Sequence, residues 1–294
     1  MLLLGVSALL FAGSGCSRAG ARAEAGHGET RASLKTSGRI ALEGDPNGLY
    51  WDAGESTLYI ADDAHNRILT YRDDTGVAKY ADLPAAQAKG PGLGQVVRHP
   101  DGTLLVARFG FGTSGDVVAV KKDRTSTVVP GLDGTRRRLG LTVAPDGSVY
   151  DAYFVKNGPS TVGGVAKLAL AGGETDVITG LGKVVGVLAT GDKLYVGDQA
   201  QGKLFVTSLA APANQQPFAD VPGGDLLCVG PSGSIFSGGA DGNVRAIDAS
   251  GKVTVFASGF GSARGVAYDA ANKRLFVASH AASGPGGVEI RPVP

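Results

Sequence analysis

"PNGLYWDAGESTLYIADDAHNRILTY", residues Pro46 to Tyr71, places a Pro-Asn-Gly turn signal ahead of two short aromatic and aliphatic runs, a charged loop and a third apolar run. Runs this short, rich in Leu, Ile and Tyr and bounded by Gly, Asp, Asn and Ser, read as strands joined by tight turns. A hairpin with one added strand cannot bury its apolar faces by itself, so such a unit calls for neighbours of the same kind.

The neighbours are present. The phrase recurs six times, as "NGLYWDAGESTLYIAD", "GQVVRHPDGTLLVAR", "LGLTVAPDGSVYDAY", "VGVLATGDKLYVGD", "DLLCVGPSGSIFSGG" and "RGVAYDAANKRLFVAS". One column is aliphatic throughout (Leu49, Val96, Leu141, Val187, Leu227, Val266), and a second follows the turn (Leu58, Leu104, Val149, Leu194, Ile235, Leu275). A small residue recurs at Ala61, Ala107, Ala152, Gly197, Gly238 and Ala278. Three turns carry Pro100-Asp101-Gly102, Pro145-Asp146-Gly147 and Pro231-Ser232-Gly233, which supply the preset and positive φ that tight turns need. After each phrase come a third strand, such as "RILTY" or "KLFVT", and a more polar fourth, such as "GVAKYADL" or "KVTVFASG". Copies are spaced 39 to 47 residues apart, the length of a four-stranded propeller blade.

The pattern predicts an all-β fold: a six-bladed β-propeller of four-stranded antiparallel blades over residues 37–294. The last copy ends at Pro294 after its third strand, while "GRIALEG", residues 38 to 44, has the outer-strand pattern and no blade of its own. Pairing the two closes the ring and removes an exposed sheet edge.

Composition agrees and narrows the function. Of 294 residues 43% are hydrophobic and 47 are Gly, enough for a large core and many tight turns. A net charge of +1 with 19% charged residues gives no field that favours nucleic acid. The sequence has no G-x-S-x-G elbow, H-E-x-x-H or P-loop. Three glycine-rich stretches, residues 110 to 115, 156 to 164 and 281 to 287, read as rim loops.

The first 16 residues, "MLLLGVSALLFAGSGC", are too short an apolar stretch to span a bilayer and read as an export signal. Ser14-Gly15-Cys16 resembles the end of a bacterial lipoprotein signal, which implies lipidation at Cys16; a conventional cleavage near "AGARAEA" is the alternative. Residues 17–36 read as a flexible tether. The expected location is periplasmic or cell-surface, with the outer membrane favoured by Ser17 after the Cys, and the membrane is reached only through the anchor. With Cys228 the only other cysteine, no disulfide or Cys-based metal site is available, and Cys228 reads as a buried small hydrophobe.

The phrase "PNGLYWD...LYIAD...NRILTY" is similar to the NHL-repeat and gluconolactonase-like six-bladed propellers, a resemblance that extends over the repeat region. It implies a functional site at the mouth of the central channel. The residues opening the first strands form a ring of Asn47, Gly94, Leu139, Val185, Asp225 and Arg264. In gluconolactonases such positions carry metal-binding side chains, typically a Glu in the first blade, an Asn in the fourth and an Asp in the fifth. Here the first holds Asn47, the fourth Val185, and Asp225 alone matches. A hard cation needs several oxygen ligands, and Arg264 is expected to pair with Asp225 and repel it, so no cofactor is expected; Asn47 and Asp225 are the weak candidates for Ca²⁺.

After the second strands the equivalent positions are Asp62, Arg108, Tyr153, Asp198, Gly239 and Ser279, with His280 next. The expected ligand-binding set is therefore Asn47, Asp62, Arg108, Tyr153, Asp198, Asp225, Arg264 and His280, suited to a small polar ligand or a protein partner. Of the histidines only His280 is placed to act as a base, with Asp62 or Asp225 as its carboxylate. The leading reading is a monomeric binding scaffold; the alternative is a gluconolactonase- or esterase-like hydrolase with a degenerate metal site.

Overall fold

The computed structural model describes residues 34–87, 90–280 and 286–294. The export signal, Cys16 and the tether up to residue 33 lie outside the described residues, as does most of the glycine-rich stretch 281–287.

The fold is an all-β propeller with no α-helix among the described residues. Strand β1 is Gly38–Ala41. A first sheet holds β2 (Pro46–Asp52), β3 (Thr57–Asp62), β4 (Arg67–Arg72) and β5 (Gly76–Asp82). A second holds β6 (Leu93–Arg98), β7 (Leu104–Arg108), β8 (Asp116–Val120) and β9 (Ser126–Val128). The third runs through β10 (Arg137–Val143), β11 (Val149–Asn157), β12 (Ser160–Leu168) and β13 (Glu174–Leu181). The fourth runs through β14 (Val184–Thr190), β15 (Lys193–Asp198), β16 (Lys203–Ser208) and β17 (Gln216–Asp220). Each is an antiparallel meander in chain order, as consecutive hairpins require.

The remaining strands depart from the expected separate blades. Strands β18 (Gly224–Val229), β19 (Ile235–Gly239), β20 (Val244–Ile247) and β21 (Val253–Ala257) join β22 (Ser262–Asp269), β23 (Arg274–His280), β24 (Gly287–Pro292) and β1 in one eight-stranded sheet. Its two halves meet at a single pair, Gly239 with Ala263. The cause is local: Gly238 has no side chain, and a Cβ there would stand 2.0 Å from the Arg264 carbonyl oxygen, so the strands approach closely enough to bridge. Within this sheet β1 pairs antiparallel with β24, Ile40 opposite Val288. The expected rim loop at 156–164 is instead a continuation of the β11–β12 hairpin, with Asn157 paired to Ser160.

The first strands β2, β6, β10, β14, β18 and β22 neighbour one another in that order, and β22 returns to β2. Apolar side chains fill the gaps between consecutive sets of strands. Between the first and second, Tyr59, Ile68, Val96 and Val106 pack together. Across the seam between chain ends, Leu49, Ile60, Phe276, Val288 and Ile40 do the same. The aliphatic columns of the sequence thus face adjacent sheets, where each fully buried side chain contributes about 1.5–3 kcal/mol.

Every first strand carries a β-bulge near its start. The register slips between Pro46 and Leu49, Leu93 and Val96, Arg138 and Gly140, Val184 and Gly186, Gly224 and Leu227, and Ala263 and Val266. The residues inside those slips include Asn47, Gly94, Leu139, Val185, Asp225 and Arg264. A bulge re-aims a side chain out of the pleat, and here five of these residues line one cavity. Their carbonyls lie against the preceding set of strands: a Cβ on Gly48 would sit 2.1 Å from Gly94 O, and one on Gly265 2.1 Å from Asn47 O.

Candidate functional site

A cavity of about 340 Å³ opens at the bulged ends of the first strands. Asn47, Leu139, Val185, Asp225 and Arg264 line it, so the structure brings together five of the six expected ring positions. Asn47 is 4% exposed, yet its amide has no hydrogen-bond partner among the described residues. No ion pair joins Asp225 to Arg264 among the described residues, contrary to the sequence expectation; both face the cavity from neighbouring first strands. Burial pushes the Asp225 carboxyl up from its ordinary range, opposed by the positive charges of Arg264 and Lys183.

The second-strand ends tell a different story. Asp62, Arg108, Tyr153 and Asp198 do not line the cavity. Asp62 is buried and accepts from Asp45 N at 3.0 Å, Arg67 Nε at 2.7 Å and His65 Nδ1 at 2.9 Å. Arg108 makes a bidentate pair with Asp116, both contacts at 2.6 Å. Tyr153 donates its hydroxyl to Asp176 at 2.9 Å under the guanidinium of Arg136, 3.8 Å from the ring centre. Asp198 accepts from the backbone of Gly182, Lys183, Ala200 and Gln201, holding the loop that follows β15. These side chains fix the turns of the fold.

The cavity takes its lining from the following residue instead. Asp63, Phe109, Gln199 and Ala240 lie one position after Asp62, Arg108, Asp198 and Gly239, and all four face it. A shift of one residue reverses side-chain direction at the end of a strand. Burial raises the Asp63 carboxyl, against hydrogen bonds from the Leu93 and Gly92 backbone. Lys183, just before β14, reaches over the Phe154 ring at 5.6 Å and donates to Gln199 Oε1 at 2.6 Å. At the rim Phe111 is 45% exposed with φ of 53°, a strained value for an aromatic residue, and meets Phe109 edge-on at 5.1 Å. Sequence reasoning missed Asp63, Lys183, Phe109, Phe111 and Gln199; the one available signal was the glycine-rich "GFGTSG" around Phe111.

His280 stands opposite Ser262, a residue of the cavity wall. Its carboxylate partner is neither Asp62 nor Asp225 but Asp45, with Nδ1 2.7 Å from Oδ1. The hydrogen bond from His280 holds the Asp45 carboxyl below its ordinary range. His280 Nε2 is buried without a partner among the described residues. Cys228 lies at the opposite end of β18; burial raises its thiol, which keeps it from acting as a thiolate nucleophile.

The donor set does not suit a hard divalent cation. Val185 occupies an expected ligand position, Lys183 and Arg264 bring two positive charges, and no three His, Cys, Asp or Glu side chains converge among the described residues.

No protein-family model matches the sequence, and no curated protein matches it. Solved structures do. A gluconolactonase from Xanthomonas campestris superposes with a TM-score of 0.68 at 18% identity, over 90% of this chain and 97% of that one. A calcium-binding regucalcin from Agrobacterium tumefaciens gives 0.65 at 14% identity, over 88% and 97%. A catalytically inactive His-to-Ala variant of virginiamycin B lyase from Staphylococcus aureus gives 0.61 at 11% identity, over 87% and 99%. At these identities the likeness is one of fold, and the chain shares its propeller fold with gluconolactonases, regucalcin and virginiamycin B lyase.

Proposed function

We propose that the cavity at the bulged strand ends binds a small polar molecule carrying both signs of charge, on an exported propeller of six blades anchored by lipid at Cys16. One observation carries the binding reading: Asn47, Asp225 and Arg264 face one cavity and none of the three side chains is paired with another. Polar side chains that face a cavity without a side-chain partner favour a ligand that supplies one. A carboxylate or phosphate on the ligand suits Arg264 and Lys183; an amine or hydroxyl suits Asp225 and Asp63. The six-blade reading is supported by the cyclic order of the first strands and by the single-pair link between the two halves of the eight-stranded sheet. The lipid anchor rests on Ser14-Gly15-Cys16. Mass spectrometry of the mature N-terminus tests it, an acylated Cys16 being the expected result.

Calorimetric titration with a panel of free amino acids and sugar acids tests the binding. At least one is expected to bind, and Asp225→Asn and Arg264→Gln each to weaken it about tenfold or more, the loss typical of a buried charged partner. Absence of any binder, or binding indifferent to both substitutions, sinks the reading.

The His280–Asp45 pair favours a second reading, hydrolysis of a lactone or ester without a metal. A carboxylate that fixes one ring nitrogen is one part of a general-base arrangement, although the other nitrogen is buried and His280 does not line the cavity. Turnover of aldonolactones or aryl esters that survives chelation and is lost in His280→Gln is expected under it. No turnover by the unaltered protein excludes it.

A further inference from the structure

A second cavity, of about 320 Å³, lies on the axis at the other ends of the same first strands. All six first strands contribute to it, from Trp51 in β2 to Tyr268 in β22. Tyr50, Trp51 and Tyr268 supply aromatic wall, and Leu141, Leu188 and Val266 supply aliphatic floor. Its one charged side chain, Arg98, is already bound to Asp52 and to Glu55 at 2.6 Å, which leaves no positive charge free for a ligand.

Two buried residues in this wall have hydrogen-bonding capacity that is unused. Gln95 is 6% exposed; its Nε2 donates to the Leu49 carbonyl at 2.8 Å, which fixes the amide orientation, and its Oε1 accepts from nothing among the described residues. Thr142 is also buried; its Oγ1 accepts from Ala189 N at 2.9 Å, while its own proton has no acceptor among the described residues. A buried acceptor left bare costs about 1–3 kcal/mol, so the site gains from a ligand that donates there. We propose that this cavity is a separate binding site for a small, neutral aromatic molecule bearing a hydroxyl group. The ring stacks within the aromatic wall, and the hydroxyl donates to Gln95 Oε1 and accepts from Thr142. A volume at the small end of the ligand-pocket range suits one substituted ring.

Trp51 is the only tryptophan of the chain, so tryptophan emission reports on a residue of this cavity's wall. The test titrates phenol, and anisole as the same ring without the donor, exciting at the red edge of the tryptophan band where neither absorbs. Phenol is expected to give a saturable change and to bind roughly five- to tenfold tighter than anisole, one hydrogen bond's worth of discrimination. In Gln95→Leu the preference is expected to fall below about twofold with anisole still bound, again the loss of that one bond. Thr142→Val, a second variant of near-equal volume, is expected to reduce the preference in the same direction. Asp225→Ala, in the mouth, is expected to leave the phenol titration unchanged. The proposal is overturned if phenol produces no saturable change, as when a water suffices for Gln95. It is equally overturned if the phenol preference persists in both cavity variants, or if the response depends on Asp225.

Discussion

Arg274 grips Asp73 across 201 residues of sequence, with Nη1 and Nη2 at 2.9 and 2.6 Å from the two carboxylate oxygens. The guanidinium is fully buried, accepts no competition from water, and also holds Asp269 Oδ2 at 2.9 Å and the Lys35 carbonyl at 2.6 Å. One side chain therefore ties β23, the turn after β4 and the segment entering β1 together at the seam where the two chain ends meet.

Removing one member of such a pair strands a buried charge. Asp73→Ala is expected to cost about 3 kcal/mol in urea unfolding, because Arg274 keeps only Asp269 as its counter-charge. Arg274→Met combined with Asp73→Ala and Asp269→Asn is expected to recover part of that loss, since no buried charge is then left without a counter-charge. A triple variant less stable than Asp73→Ala alone contradicts this account.

Gly265 faces the Asn47 carbonyl so closely that any Cβ must displace it. Gly265→Ala is expected to destabilise the fold by roughly 2–3 kcal/mol, the range for overpacked sites. Because the displaced group belongs to a residue of the mouth, ligand binding there is expected to weaken as well. Thermal melts and the calorimetric titration read the two effects separately.

Asp225 should trade stability against binding. Burial raises its carboxyl above the unfolded value, so the ionised form is disfavoured in the folded protein, and that penalty is present at neutral pH and relieved as pH falls. Asp225→Asn is expected to raise the stability of the ligand-free protein at pH 7 by roughly 1 kcal/mol, as removal of a functional-site liability commonly does. Equal or lower stability at pH 7 counts against a desolvated carboxylate at this position.

Asp241 behaves in the opposite sense. The hydrogen bond from Arg245, with Nη2 2.5 Å from Oδ2, lowers its carboxyl from 3.8 to about 2. A folded-state value below the unfolded one contributes stability above pH 4 that disappears as pH falls through 2. The Asp241 side chain is 39% exposed, so solvent screening limits the effect to about 1 kcal/mol or less. Unfolding curves of the unaltered protein and Asp241→Asn are expected to differ at pH 7 and to converge near pH 2.

Much of this was legible in the sequence. Leu49, Val96, Leu141, Val187, Leu227 and Val266 mark the first strands because a sheet face pressed against another sheet must be aliphatic at every repeat. Asn47, Asp225 and Arg264 were legible as one set because the same bulge recurs at the same offset in each copy. The pairing of Ile40 with Val288 followed from counting strands at the two chain ends. Those features depend on period and on closure, and both are written along the chain.

The tertiary structure alone decided where side chains point once the strands end. Asp62 and Asp63 are adjacent carboxylates, and only the turn after β3 determines that the first anchors the loop while the second faces the cavity. Lys183, the Asp45 partner of His280, the bridge at Gly239 and the unused Gln95 Oε1 have no periodic signature. Each arises where groups distant in sequence are brought within hydrogen-bond range by the curvature of the ring, and a one-dimensional pattern carries no record of that distance.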